Sequence, residues 1–197
     1  MSVKKQKSQT SKTDSCPVVG IGASAGGLDA FKQLLTALPP DGGVAYVLIQ
    51  HLDPDHESLM ADLLDRHTRM SVTPVKDGTS IQPNHIYMIP PKKFVKIENG
   101  SLYLDPPIKL RGVRLPIDYF FRTLAKERKA LAIGIVLSGT GSDGTQGLRE
   151  IKENGGMTMV QEPSEAEYDG MPRSALSTGL VDSVLPIKRM PDALLQY

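Results

Sequence analysis

The sequence predicts an α/β fold, namely a doubly wound, mostly parallel sheet with helices on both faces and a small antiparallel hairpin excursion. Short apolar runs alternate with amphipathic stretches of helical period, a pattern that is typical of βαβ units. Glycine-rich turns follow several of the apolar runs. Asn99-Gly100 separates two short strand-like segments and is a strong hairpin signal. The 197 residues are enough for one compact domain with a single core.

The first elements of the predicted domain are two strands, each followed by a helix. Residues 17–22 form an apolar strand that ends in glycines, and residues 25–38 carry leucines at helical spacing up to Pro39. Residues 44–50 form a second apolar strand. Asp53 followed by Pro54 has the chemistry of a helix N-terminus, so we predict a helix over 56–67.

Short strand-like segments follow, and the helical period returns after them. We expect segments 72–75, 85–89, 94–97 and 102–104 to form the antiparallel excursion. The remaining pattern predicts helices over 117–126, 144–153, 172–178 and 190–195, and strands over 132–138, 158–161 and 181–185. Ligands of parallel sheets bind beyond the carboxyl ends of the strands, so we expect the functional residues in the loops that follow those strands.

Composition and charge argue against several function classes. The formal net charge is +1, so no overall field favours nucleic acid. The lysines within residues 1–16 lie among polar residues, which predicts a disordered tail or linker before a domain over 17–197. No apolar signal segment and no run of about 18 apolar residues is present, so we expect no membrane insertion. A single cysteine, Cys16, cannot form an internal disulfide, which fits a cytoplasmic protein.

Three predicted loops each carry one of the residue types that a nucleophilic hydrolase needs. Ser24 follows the first strand in a Gly-Ala-Ser-Ala-Gly sequence, which has the spacing of a nucleophile elbow. His51 follows the second strand, and Asp143 lies in the glycine-rich loop after the strand over 132–138. A histidine can take the proton of a serine hydroxyl, and a carboxylate can fix the tautomer of that histidine. If these strands are neighbours, the sequence predicts a Ser24–His51–Asp143 cluster.

Structural explanations and a second function compete with this interpretation. Ser24 could be the small residue that a glycine turn requires, His51 a strand-end residue, and Asp143 the N-cap of the next helix. The first loop also fits Gly-x-Gly-x-x-Ala, close to a dinucleotide-binding fingerprint. Such a site requires an acidic residue at the end of the second strand, where this chain has Gln50 and His51. This difference favours the nucleophile, with a dinucleotide-binding module and a catalytically silent interaction domain as alternatives.

Other polar clusters give weaker signals. His51, Asp53, Asp55 and His56 match no zinc spacing, so we expect no metal, and the loops predict no cofactor. The glycines within residues 139–144 fit a phosphate-loop pattern that is too common to carry an assignment. A basic cluster is typical of a solvated surface and could also contact an acidic substrate helix. It consists of Lys109, Arg111 and Arg114.

Four segments of the chain resemble one known family, the catalytic domain of CheB-type chemotaxis methylesterases. The segments are VVGIGASAGG over 18–27, QHLDPDH over 50–56, LSGTGSDGTQG over 137–147 and YDGMPRSALSTGLVD over 168–182. The resemblance runs from about residue 17 to the C-terminus and implies a catalytic triad of Ser24, His51 and Asp143. It implies a γ-glutamyl methyl ester substrate on the cytoplasmic region of a methylated chemoreceptor. Some family members also deamidate receptor glutamines.

Three departures from the family pattern bear on mechanism and regulation. The resemblance implies a backbone oxyanion donor at Thr140, where the family often has methionine. It places Ala25 where the family often has threonine, so a hydroxyl contact is lost. Typical members carry a phosphoacceptor receiver domain, which is not among these residues. The residues of these motifs resemble more closely those of methylesterase domains that are fused to methyltransferase and sensor domains. We therefore expect such domains as partners in a larger chain.

Overall fold

The computed structural model describes residues 16–50, 57–107 and 114–197, except for the side chains of residues 57–59. The strands in these ranges are β1 Val18–Ala23, β2 Ala45–Gln50, β3 Ser71–Pro74, β4 Thr79–Ser80, β5 His85–Met88, β6 Phe94–Glu98, β7 Ser101–Asp105, β8 Ala132–Val136, β9 Met157–Gln161 and β10 Ser183–Leu185. The α-helices are α1 Gly27–Ala37, α2 Glu57–Asp65, α3 Pro116–Arg128, α4 Thr145–Glu153, α5 Gly170–Leu176 and α6 Met190–Leu195.

Seven of these strands form a parallel sheet in the order β10-β9-β8-β1-β2-β5-β3. The chain builds outward from β1 through β2, then crosses to the other side of β1 with β8 and continues to β10. The direction of winding therefore reverses between β1 and β8. Ligands of doubly wound sheets bind at this switch point, beyond the carboxyl ends of the strands. The predicted fold class is confirmed.

Helices cover both faces of the sheet, as predicted. On one face, α1, α2 and α6 pack on side chains such as Val19, Ile21 and Leu48. On the other face, α3, α4 and α5 pack on side chains such as Val18 and Val47. Because successive residues of each central strand are buried on opposite faces, these strands appear in the sequence as continuous apolar runs.

Glycines on one face of β1 allow α3 to approach the strand closely. A Cβ atom at Gly20 would lie 2.7 Å from the Phe121 ring, and a Cβ atom at Gly22 would lie 2.4 Å from Cγ2 of Ile117. No side chain can be accommodated at such distances without displacing the helix. The glycine pattern that resembles a dinucleotide fingerprint is thus accounted for, in this chain, by the packing of α3.

The antiparallel excursion is smaller than the sequence predicts. β6 and β7 pair antiparallel around Asn99 and Gly100, whose φ angles of 50° and 74° suit the predicted hairpin turn, and β4 adds to β7. Segments 72–75 and 85–89, expected in this excursion, instead form β3 and β5, which pair parallel with each other and extend the main sheet next to β2. That part of the prediction is wrong because strand-like composition does not specify which strand is the neighbour.

Most other element boundaries agree with the predicted ones to within a few residues. The helix predicted over 172–178 spans Gly170–Leu176, and the strand predicted over 181–185 is shortened to Ser183–Leu185. The helix start predicted at Asp53 and Pro54 lies outside the described residues, as do residues 1–15 of the tail predicted over 1–16. Cys16, the last residue of that predicted tail, is buried in the core, so the tail was predicted one residue too long. No helix within the described ranges is long and apolar enough to span a membrane.

Candidate active site

Ser24 follows the central strand directly, at the switch point of the sheet. Its N–H donates to the carbonyl oxygen of Ser138 at 3.0 Å, and its own carbonyl oxygen accepts the N–H of Gly27 at 2.9 Å. The second bond closes a turn in which Gly26 has a φ of 70°, a left-handed conformation that glycine adopts readily. α1 begins at Gly27, so the chain passes sharply from strand to helix and Ser24 remains partly exposed. This is the local geometry of a nucleophile elbow.

Ser138 holds three loops together at this end of the sheet. The side chain is 1% exposed, and its Oγ donates to the carbonyl oxygen of Ala25 at 2.9 Å and accepts the N–H of Tyr168 at 3.0 Å. The N–H of Ser138 donates to Oε1 of Gln161 at 2.8 Å. The serine turn, the loop after β8 and the segment before α5 are therefore fixed relative to one another. The sequence analysis did not identify Ser138 or Gln161 as functional residues. Their one signal in the sequence is that each is a polar residue at the end of an apolar strand.

Gly139 lies against Ser24 and permits close packing with α5. A Cβ atom at Gly139 would lie 3.0 Å from Cβ of Ser24 and 2.2 Å from Sδ of Met171. The Gly139 N–H donates to the carbonyl oxygen of Tyr168 at 2.9 Å, and its own carbonyl oxygen accepts the N–H of Met171 at 2.8 Å. The fourth matched segment, residues 168–182, thus contributes to the same site as the serine turn.

Thr140 is exposed and follows Gly139 in the loop beside the serine turn. Within the described part of the chain, its N–H donates to no protein acceptor. A Cβ atom at Gly170 would lie 3.4 Å from Cα of Thr140, so the first residue of α5 approaches this loop through its backbone. A backbone donor at this place is suited to binding a developing oxyanion.

Asp143 is a buried carboxylate that holds the start of α3. It is 3% exposed. Its Oδ2 accepts the N–H of Ile117 at 3.0 Å, and its Oδ1 accepts the N–H groups of Asp118 and Gly144, each at 2.9 Å. The structural alternative, in which Asp143 is the N-cap of the following helix, is wrong, because Gly144 is the N-cap of α4. A carboxylate can accept about four hydrogen bonds, so these three are compatible with a further donor.

Asp118 is a second buried carboxylate beside Asp143, and sequence reasoning missed it. Its Oδ1 accepts the N–H of Gly147 at 2.7 Å. Burial raises the pKa of Asp118 to about 6; the charge of Asp143 also raises this pKa, and the hydrogen bond from Gly147 lowers it. In sequence, Asp118 looks like any acidic residue in the first turn of a helix, where the helix dipole favours a negative charge.

The predicted base, His51, lies outside the described residues. Its neighbour Gln50 is the last residue of β2 and pairs with Ala23, the residue before Ser24. Nε2 of Gln50 lies 3.5 Å from the carbonyl oxygen of Ser24. In the described ranges no group of three or more His, Cys, Asp or Glu residues is arranged to hold a metal ion. Several other predicted residues also lie outside those ranges: Asp53, Asp55, His56, Lys109 and Arg111.

The fold and the serine turn together define an α/β domain with a nucleophile-elbow loop at the switch point of a doubly wound sheet. Within that class, the chain belongs to the CheB methylesterase family, whose model matches residues 19–194.

Known relatives and a solved structure agree with this assignment. Protein-glutamate methylesterase/protein-glutamine glutaminase 2 of Pseudomonas aeruginosa is 35% identical over 184 residues, which cover 91% of this chain and 52% of that protein. A putative enzyme of the same name from Leptospira interrogans is 32% identical over 89% of this chain and 92% of its own length. The crystal structure of the Thermotoga maritima CheB methylesterase catalytic domain matches with a TM-score of 0.85 at 29% identity, covering 92% of this chain and 98% of that domain.

The relatives differ in length. An uncharacterized 104.1 kDa protein of Rhodobacter capsulatus is 42% identical over 138 residues, which cover 70% of this chain but 14% of that protein. The chain spans about half the length of the Pseudomonas relative. The matched residues are therefore only a part of each of these two longer proteins.

Proposed function

We propose that this chain is a protein-glutamate methylesterase, a serine hydrolase that removes methyl groups from glutamyl methyl esters of a chemoreceptor. Membership in the CheB family and the names of the relatives support this activity. The observation that carries the proposal is the position of Ser24. It sits at the switch point of the sheet, and its N–H is bonded to the loop that leads to Asp143.

In the proposed reaction, Oγ of Ser24 attacks the ester carbonyl carbon while His51 accepts the hydroxyl proton. The tetrahedral intermediate collapses as His51 returns that proton to the departing methanol, which leaves a glutamyl ester on Ser24. Water then attacks this acyl-enzyme, with His51 as the base, and releases the glutamate carboxylate and the free serine. A glutamine side chain would react in the same way with ammonia as the leaving group, which accounts for the second activity in the relatives' names.

The roles proposed for Asp143 and Thr140 follow from their surroundings. Three backbone N–H groups fix the orientation of the Asp143 carboxylate, so a fourth bond, from the ring of His51, would set the tautomer of that histidine. The Thr140 N–H, which has no acceptor in the described part of the chain, would bind the oxyanion. Ala25 carries no hydroxyl, so its side chain adds no hydrogen bond to the site.

The positions of Gln50 and Ala23 support the pairing of Ser24 with His51. Ala23 and Gln50 are paired at the end of the β1–β2 register. Ser24 directly follows Ala23 in the sequence, and His51 directly follows Gln50. Neighbouring strands lie about 4.8 Å apart, which is a distance that a serine and a histidine side chain can bridge. We therefore propose His51 as the general base. In a longer protein, methyltransferase or sensor domains are the proposed partners of this domain.

The proposal is tested by methanol release from a chemoreceptor cytoplasmic fragment carrying radiolabelled methyl esters. We expect the Ser24→Ala and His51→Ala proteins to lose about 10³-fold or more of the turnover while remaining folded by circular dichroism. Ser177→Ala is the matched control, because Ser177 is an exposed serine whose Oγ bonds only within its own turn.

Undiminished methanol release by the folded Ser24→Ala protein would contradict the proposal. A loss confined to His51→Ala would contradict the assignment of Ser24 as nucleophile. Labelling of the unmodified chain at Ser24 by a serine-directed phosphonate would count against a catalytically silent interaction domain.

A further inference from the structure

A cavity of about 150 Å³ lies beside the serine turn, between the end of β2, the β5–β6 connection and the start of α3. Among the described residues that line it, three are cations, namely Lys92, Lys93 and Arg114, and none is acidic. We call it the basic cavity. The whole chain has a net charge of only +1, so this grouping of one sign of charge is a local feature.

The three cations of the basic cavity have no polar partner among the described residues. Lys92, Lys93 and Arg114 are exposed, and in the described part of the chain none of them forms an ion pair or a hydrogen bond. Other lysines and arginines of the chain do have acidic partners, for example Lys152 with Asp182 and Arg173 with Asp169. Cations that share one cavity can all bind a single anion.

Prolines and one residue of left-handed conformation lie in the rim of the basic cavity. Pro90 and Pro91 precede the two lysines, and Pro116 at the start of α3 lines the same cavity. Proline fixes its own backbone φ angle, so the chain is restricted at these three positions. Lys92 has a φ of 55°, a left-handed conformation that costs a non-glycine residue about 1 kcal/mol or more.

The basic cavity adjoins the proposed nucleophile through one side chain. Gln50 forms part of its wall, and Nε2 of Gln50 lies 3.5 Å from the carbonyl oxygen of Ser24. Phe94, which is 4% exposed, supplies an apolar surface in the same cavity. A group bound in the cavity would therefore belong to the same substrate molecule as an ester at Ser24.

We infer that the basic cavity is a substrate subsite for the carboxylate of an acidic residue that neighbours the reactive glutamyl ester in the protein substrate. This inference rests on the proposed function. The cavity of about 150 Å³ has room for a side chain such as that of aspartate or glutamate. The cations hold the carboxylate, and Phe94 and the prolines contact the methylene groups. The enzyme therefore prefers esters that are flanked by acidic residues.

Two synthetic peptides of equal length test this inference, each with one glutamyl methyl ester flanked either by glutamates or by glutamines. With the full chain at low salt, Lys93→Glu and Arg114→Glu each lower kcat/KM for the acidic peptide about fivefold and leave the neutral peptide unchanged. Lys188→Glu, an equal charge change at an exposed lysine in a different cavity, alters neither peptide. Raising the ionic strength to about 1 M shortens the Debye length to about 3 Å and removes the preference.

A direct binding measurement decides the inference independently of catalysis. Fluorescence anisotropy of labelled, non-esterified versions of both peptides shows tighter binding of the acidic one, and Arg114→Glu abolishes the difference. Equal effects of Lys93→Glu and Arg114→Glu on both peptides, or an equal effect of Lys188→Glu, overturn the subsite. Failure of the proposed function would give a different result from failure of the subsite. In that case the Ser24→Ala protein and the unmodified chain would hydrolyse the neutral peptide at the same rate.

Discussion

Asp143 and Asp118 are two buried carboxylates that accept hydrogen bonds from the first turns of two helices. The Asp118 N–H, at the start of α3, donates to Oδ1 of Asp143 at 2.9 Å. The Asp118 carboxylate in turn accepts the N–H of Gly147, at the start of α4, at 2.7 Å. The Asp143 carboxylate, just before α4, thus accepts an N–H group of α3, and the Asp118 carboxylate, in α3, accepts an N–H group of α4. Two anions are held close together in the core because two helix N-termini, with their positive dipole ends, converge on them.

This pair makes stability depend on pH through Asp118. Burial raises the pKa of Asp118 from its ordinary value of 3.8 to about 6, so between these values the folded chain binds more protons than the unfolded chain. Stability is therefore highest below pH 4 as far as this group is concerned, and falls as the pH rises towards 6. Each pKa unit is worth about 1.4 kcal/mol, so the loss is on the order of 2–3 kcal/mol.

We expect Asp118→Asn to remove this loss, because asparagine keeps an acceptor for the Gly147 N–H and carries no charge. The variant matches the unmodified chain near pH 4 and exceeds its free energy of unfolding near pH 7. Urea denaturation between pH 4 and pH 8 measures the difference. Parallel stability curves for the two proteins over this range would show that Asp118 does not titrate there.

The close packing of Gly22 on Ile117 predicts a second effect. In Gly22→Ala the new methyl group, 2.4 Å from Cγ2 of Ile117, pushes the first turn of α3 away from β1. We expect a loss of about 1–3 kcal/mol in the free energy of unfolding. Esterase activity falls as well, because the N–H of Ile117 helps to orient Asp143.

Gly42→Ala is the control for this substitution. A Cβ atom at Gly42 would make contacts of 3.6 Å and 3.7 Å, which are ordinary van der Waals distances. Its stability should lie within about 0.5 kcal/mol of the unmodified chain. If Gly22→Ala is as stable and as active as Gly42→Ala, the proposed dependence of the site on close α3 packing is wrong.

Ser138→Ala tests the polar cluster that joins the three loops. The substitution removes the Ser138 hydroxyl, which is the hydrogen-bond partner of the Ala25 carbonyl oxygen and of the Tyr168 N–H around a buried side chain. We expect a loss of about 1–3 kcal/mol in the free energy of unfolding. We expect kcat for the ester substrate to fall by a larger factor than KM rises, because the serine turn loses its hydrogen bond from the Ser138 hydroxyl. Ser177→Ala, at an exposed serine, is the stability control, and equal losses for the two variants would refute the special role of Ser138.

Asp182 carries the opposite dependence on pH. Partial burial raises the pKa of Asp182, but hydrogen bonds from Lys152 and Thr158 lower it by more, so the net pKa lies below 3.8. Its contribution to stability is present above pH 4 and is lost as the pH falls further. We expect Asp182→Asn to be less stable than the unmodified chain at neutral pH and to lose less stability on acidification. Asp192→Asn, at a side chain that is 71% exposed, should change neither property, as monitored by thermal unfolding from pH 2 to pH 7.

The sequence was sufficient to predict the place of Ser24 and Asp143 but not their supports. A parallel sheet gathers the carboxyl ends of its strands at one edge, so residues after apolar strands could be assigned to one region from the pattern alone. Asp118, Ser138 and Gln161 escaped prediction because each acts through a partner more than 20 residues away. No local period records such a partner. The role of His51 in the cluster stays a prediction.

The placement of β3 and β5 shows the same limit on a larger scale. Their composition identified them as strands, yet their parallel pairing beside β2 depends on contacts distant in the chain. The Asn99-Gly100 hairpin was predictable because both partners and the turn lie within one short segment.

The hydrogen bond from the N–H of Ser24 to the carbonyl oxygen of Ser138 has a consequence for how the protein is made. During synthesis, the serine turn leaves the ribosome long before β8, which must insert beside β1 before the loop bearing Asp143 can reach it. Such distant pairings form late and slowly in folding. If Ser24 acts as proposed, we expect a nascent or truncated chain that ends before β8 to lack hydrolase activity. The onset of hydrolysis would then report that β8 has paired with β1.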